Sequence, residues 1–176
     1  MVSHFILVRH GSPRWDIADQ RRLRGGARDW VPLSWQGVEE AKHTAERLRE
    51  ETTADLILAS PMARALQTAA ILSRAMDLPL EVEFDLHEWL PDLDYSFDSF
   101  DPVRKATAEM ESCGGEWPSG ETRCWEPLSS VRRRVLAVLG RYQREEGVIV
   151  VCHGVIIDAL TGEHLPPGGY ATFKLS

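Results

Sequence analysis

Two short strings constrain this chain more than any other feature. Phe5-Ile6-Leu7-Val8 runs straight into Arg9-His10-Gly11, and Val148-Ile149-Val150-Val151-Cys152 runs into His153-Gly154. Each is an apolar run of strand length that stops on a histidine followed by glycine. In an open α/β sheet, binding sites form beyond the carboxyl ends of the strands, because the loops converge there. One histidine in such a place is as readily a plain strand terminus. Two of them, the first with an arginine beside it, point to a site that holds and attacks a phosphoryl group.

The rest of the pattern supports a sheet of that kind. Leu56-Ile57-Leu58-Ala59 reads as a second buried strand, Leu80 to Phe84 as a third, and Ala171 to Leu175 as an edge strand. Between them lie helical stretches. Ser34 is placed as an N-cap ahead of 35–51, where Val38, Ala41, Ala45 and Leu48 share one face. Ser60-Pro61 reads as the cap and first position of a helix running to about Met76. Leu128, Val131, Val135, Val138 and Tyr142 mark another helix, and Ile156 to Leu160 a short one. Strands alternating with helices predict an α/β fold, with a mainly parallel sheet covered on both faces. Gly11 to Pro32 reads as a long loop, and long loops in compact domains are often functional. Residues 92–124 read as an irregular excursion with one helix near 101–112, and the stretch around 90–125 is expected to act as a lid.

At 176 residues, with 43% hydrophobic and 27% charged residues, the chain suits a single domain spanning 1–176. A net charge of −7 argues against broad nucleic-acid or anionic-membrane binding. Met1-Val2-Ser3-His4 lacks the basic start of a signal peptide, and no stretch approaches the length of a membrane span. Cys113, Cys124 and Cys152 are odd in number and lack CxxC spacing, which fits free thiols and a cytoplasmic location. Neither His4, His43, His87 nor His164 falls into zinc-ligand spacing, so no metal is expected.

Phosphoryl transfer needs cations on the nonbridging oxygens, an in-line nucleophile and an acid for the leaving oxygen. The basic candidates all lie beyond strand ends: Arg9, His10, Arg64 and His153. A guanidinium fork suits the oxygens, and a neutral imidazole can attack phosphorus. Glu88, in Leu86-His87-Glu88-Trp89, is the acid candidate, since partial burial beside Trp89 would keep its proton on. Taken alone, Glu88 reads more readily as an exposed loop glutamate. Arg132-Arg133-Arg134 is placed on the solvated and flanking faces of its helix, and Cys152 in the core. Trp15, Trp30, Trp89, Trp117 and Trp125 fall in irregular segments, some to wall a pocket and others to anchor minor cores.

Together, Arg9-His10-Gly11, Leu33-Ser34-x-x-Gly37, Ser60-Pro61-x-x-Arg64-x-x-x-Thr68, Leu86-x-Glu88 and His153-Gly154 resemble the ordered motifs of the histidine phosphatase superfamily, the phosphoglycerate mutase-like family in its larger branch. The order holds across 4–160. The resemblance implies a three-layer α/β/α sandwich and a phosphatase that needs neither metal nor cofactor. It implies His10 as the nucleophile that becomes phosphorylated, Arg9, Gly11, Arg64 and His153 in the phosphate pocket, and Glu88 as proton donor and later base. A small-molecule phosphate ester would be the partner.

The chain also departs from the family pattern. Asp16 stands where the family often has Asn, and would need to pair with Arg14, Arg22 or Arg24. Leu23-Arg24-Gly25 replaces Phe-Gln-Gly, leaving Arg24 as a candidate phosphate ligand. After Glu88 the chain turns acidic, Trp89-Leu90-Pro91-Asp92-Leu93-Asp94, which disfavours a phosphoglycerate. A phosphoglycerate-type mutase, a phosphohistidine protein phosphatase and a non-catalytic phosphoryl-binding module remain the alternatives on the same motifs.

Overall fold

The computed structural model describes residues 3–175, and Ser3 by its backbone alone. Met1, Val2 and Ser176 lie outside the described residues, and with them part of the expectation about a leader. In chain order the elements are β1 (Ser3–Arg9), α1 (Trp15–Gln20), α2 (Trp35–Glu51), β2 (Leu56–Ala59), α3 (Ala63–Met76), β3 (Leu80–Val82), α4 (Phe100–Ser112), α5 (Leu128–Arg141), β4 (Val148–Cys152), α6 (Gly154–Thr161) and β5 (Tyr170–Leu175).

The strands form one sheet in the order β3-β2-β4-β1-β5. β1, β2, β3 and β4 run parallel, and β5 pairs antiparallel to β1 at the edge. Alternation along the strands feeds two cores. Phe5, Leu7, Leu58 and Val150 pack with α5 and α6 on one face, while Val8, Ile57, Ile149 and Val151 pack with α2 and α3 on the other. The result is the expected α/β/α sandwich. β4 is buried at every position, as a central parallel strand must be. No helix of the described residues is long and apolar enough to cross a membrane.

Three local expectations need correction. The 11–32 segment is not all loop: it holds α1 and a 3-10 turn at Gly25–Trp30, anchored by buried Ala18 and Arg28. α3 starts at Ala63 with Met62 at the N-cap position, so Ser60 is not its cap; its hydroxyl accepts from the Met62 amide at 3.3 Å ahead of the helix. β3 stops at Val82, because the chain turns into a 3-10 segment at Phe84–Leu86. The Ser34 cap is as expected: its hydroxyl accepts from the Gly37 amide at 3.0 Å. Gly37 has a further reason to be glycine. A Cβ there would come within 2.2 Å of the Ser12 carbonyl oxygen, and one on Gly11 within 2.3 Å of the Gly37 carbonyl oxygen. The two glycines let α2 press backbone to backbone against the segment that follows β1.

Candidate active site

Adjacent parallel strands bring the two histidines together. Arg9 of β1 is in register with Cys152 of β4, and the His10 amide donates to the Cys152 carbonyl at 3.1 Å. The residues one step beyond, His10 and His153, therefore lie side by side, their ring centroids 5.1 Å apart. β2 flanks β4 on its other side, so Ser60 follows next in the row, its amide on the Val151 carbonyl. Ser60 Oγ lies 2.7 Å from His153 Nε2. His153 Nδ1 is buried and has no partner within the chain.

The hydrogen bonds of His10 fix its chemistry. Nδ1 lies 2.8 Å from the Gly11 carbonyl, an acceptor only, so Nδ1 carries the proton. Arg64 Nε–H donates to Nε2 at 3.1 Å, so Nε2 presents its lone pair. Burial, then the Arg64 and Arg9 charges, push the His10 pKa down to about 3, so the ring is neutral at physiological pH. His153 is held neutral in the same way, by burial first and by the Arg64 charge second.

Arg64 sits in the first turn of α3 and is almost fully buried. Its Nη1 pairs with Asp29 at 2.8 Å, its Nη2 lies 3.1 Å from Met62 Sδ, and its guanidinium lies 5.2 Å from the Trp15 ring centroid. Arg9 donates to the Leu165 carbonyl at 2.5 Å, while its Nε is buried without a partner. Two unpartnered buried nitrogens, on Arg9 and His153, thus belong to neighbouring strand ends. Buried polar groups are seldom left so, and each is a group awaiting an acceptor or donor.

Glu88 faces the same cavity as Arg9, His10 and Arg64, a space of about 250 Å³. Burial pushes its pKa up, opposed by the Trp89 amide, which donates to Oε1 at 2.9 Å, and by Arg64, the Val155 amide and Arg9. The segment carrying Glu88 is held from α5. Arg134 donates to the carbonyls of Asp85 at 2.5 Å, His87 at 2.8 Å and Glu88 at 3.3 Å, and grips the Glu126 carboxylate at 2.8 and 3.0 Å. Of the three arginines at 132–134, expected on the solvated and flanking faces, Arg132 and Arg133 are exposed and Arg134 is the flanking one, its side chain 12% exposed.

Other sequence candidates fall outside. Arg24 is exposed and does not line the cavity, since the chain turns inward only at Gly25. Gly11 is buried, its amide donates to Thr68 Oγ1 at 3.1 Å, and it is not among the residues that line the cavity. Asp16 pairs with Arg14, bidentate, on the surface. Trp30 is exposed, while Trp15 and Trp89 wall the cavity. Sequence reasoning missed Asp29, buried Arg28, the Ser60–His153 bond and an aromatic wall from Tyr95, Phe97 and Phe100. Only Ser60 carried a local signal, its place one residue past a buried strand in the motif.

Among the described residues no cluster of three His, Cys, Asp or Glu side chains is placed to hold a metal ion. The sequence matches the histidine phosphatase superfamily (branch 1) over residues 5–175. It is 30% identical over 157 residues to an uncharacterized phosphatase, PhoE, of Bacillus subtilis, covering 89% of this chain and 75% of that one. It is 26% identical to a metal-independent phosphoserine phosphatase of Arabidopsis thaliana, over 90% of this chain and 67% of that one. Among solved structures, mycobacterial glucosyl-3-phosphoglycerate phosphatase superposes with a TM-score of 0.72 at 19% identity, covering 97% of this chain and 90% of that one.

Proposed function

The chain belongs to the histidine phosphatase superfamily and is a phosphatase of it, and we propose that it hydrolyses small phosphate monoesters, without a metal, through a phosphohistidine formed on His10. One observation carries the proposal: His10 Nε2 holds a lone pair at neutral pH in a cradle of two guanidiniums, with a carboxyl of raised pKa lining the same cavity.

The nonbridging oxygens of the ester are bound by Arg9, Arg64 and His153. Arg64 Nε–H, which donates to Nε2, moves onto an oxygen as phosphorus approaches. The Nε2 lone pair attacks phosphorus, a P–N bond forms and the P–O bond to the leaving group breaks. The proton of the Glu88 carboxyl goes to the departing alkoxide. Water then attacks phosphorus, its proton passes to the Glu88 carboxylate, and the P–N bond breaks to return Nε2 its lone pair. Ser60 keeps His153 in one orientation through both steps. The one further cation of the lining, Arg28, is already held by Asp19 and two carbonyls, and the rest of the wall is largely apolar, which favours hydrolysis of a neutral-tailed ester over a mutase reaction.

The test is hydrolysis of p-nitrophenyl phosphate with EDTA present, together with acid-labile labelling by a ³²P-ester. Turnover and label in the wild type, and neither in His10→Ala, are expected. Turnover that survives His10→Ala, or that EDTA abolishes, would overturn the mechanism.

A further inference from the structure

The cavity changes character away from the phosphoryl cradle. Beyond Arg9, His10, Arg64 and Glu88 its wall is mostly apolar and includes Trp15, Leu90, Tyr95, Phe97, Phe100 and Val103. The aromatic side chains come from α1, α4 and the turn between Asp92 and Phe97. That turn is built for its place: Asp92 accepts from the Asp94 and Ser96 amides, and the Gly25 amide donates to the Phe97 carbonyl at 2.6 Å. Tyr95 takes a positive φ of 53°, a conformation an aromatic residue seldom adopts, and holds it against Gly25, where a Cβ would lie 2.1 Å from the Tyr95 carbonyl oxygen.

The charges on this wall are already matched. Arg28 reaches the cavity but is spent on Asp19 at 2.8 Å and on the Leu23 and Asp98 carbonyls, with its guanidinium 4.7 Å from the Phe100 ring centroid. Asp29 is paired with Arg64. Arg9 and Arg64 face the single phosphoryl dianion, which leaves Arg28 as the further cation of the lining, its charge matched by Asp19 and its guanidinium turned onto two carbonyls and the Phe100 ring, so a carboxylate or a second phosphate would have to displace those contacts. Trp15 joins the two halves of the cavity. Its ring lies under the Arg64 guanidinium and meets Phe100 edge to face at 5.1 Å and 87°. A ring carried close to the ester oxygen would sit against the same cluster, in the geometry that aromatic groups favour.

Resting on the phosphatase reading of this same pocket, we propose that the substrate is the phosphate ester of an alcohol bearing an aromatic ring and no second anionic group, with the ring seated against Trp15, Phe97 and Phe100.

Non-hydrolysable phosphonates test this without depending on turnover. Binding of benzylphosphonate, propylphosphonate and 3-phosphonopropionate is measured by calorimetry at one pH and ionic strength. Benzylphosphonate is expected to bind at least about tenfold tighter than propylphosphonate, from two or more ring contacts. The carboxylate-bearing 3-phosphonopropionate is expected to bind weakest. In Phe100→Ala the benzyl-to-propyl ratio should fall toward one, and Phe97→Leu serves as a second variant should the first not fold. Equal binding of the benzyl and propyl compounds, tightest binding of the carboxylate, or no binding of any of the three overturns the proposal. A protein that binds benzylphosphonate selectively yet forms no phosphohistidine would leave the pocket assignment standing and sink the catalytic mechanism alone.

Discussion

Arg134→Met removes the cation at the centre of a buried knot. In the wild type the Arg134 and Glu126 side chains are 12% and 7% exposed, and the guanidinium also serves the Asp85, His87 and Glu88 carbonyls. Without Arg134 the Glu126 carboxylate is left buried and unpaired, which costs about 3–5 kcal/mol. Glu126→Leu in the same background removes the orphaned charge but leaves the three carbonyls short of their donor. The double variant should therefore recover part of the loss and remain about 1–3 kcal/mol below wild type. Domain stabilities are about 5–15 kcal/mol, so the single variant should still fold at low temperature. Urea unfolding followed by circular dichroism measures all three proteins. A loss below about 1 kcal/mol in Arg134→Met, or a double variant no more stable than the single, would refute this account of the knot. Activity gives a second readout, because the knot holds the backbone of Glu88. An ester with a poor leaving group, which needs the acid, should lose more kcat than p-nitrophenyl phosphate does.

Gly37→Ala should lower Tm and cut kcat, because its Cβ would press within 2.2 Å of the Ser12 carbonyl, and overpacking of that kind costs about 1–3 kcal/mol; a thermal melt and an activity matching wild type would show that the α2 contact yields. Stability should also fall as pH drops below 6.5. The folded state keeps His10 neutral down to about pH 3, and His153 and His87 are shifted in the same direction, while the unfolded chain takes up protons near 6.5. The unfolded state thus binds more protons throughout that window, and His10 alone removes about 1.4 kcal/mol per pH unit once below 6.5. Glu88 acts with the opposite sign, since its raised pKa gives stability that is lost as pH rises through that value, so the measurement is best made in Glu88→Gln. His10→Asn in that background should flatten the slope between pH 6 and 5, and an unchanged slope would remove His10 from the explanation.

The sequence by itself determined the sheet and the heart of the site. Short apolar runs flanked by turn residues have few alternatives to buried strands. Residues that follow such strands must emerge at one edge of a parallel sheet, so Arg9, His10, Arg64 and His153 were legible as candidates from the sequence, whereas Glu88 stood out only through the resemblance of the ordered motifs. The cap at Ser34 was legible because it is a contact within four residues. What tertiary structure decided is everything that depends on partners distant in the chain. Ser60 looks like a cap locally, yet the register of β2 beside β4 places it against His153. Arg134 belongs to a run of three arginines, and only the packing of α5 against the Glu88 segment selects which one is drawn in to bind that segment. Arg24 and Arg28 are alike as letters, but the inward turn at Gly25 leaves the first in solvent and carries the second to the cavity. The aromatic wall is assembled from α1, the 92–97 turn and α4. Its members are ordinary apolar residues in weakly patterned segments, and only three-dimensional folding makes them one surface.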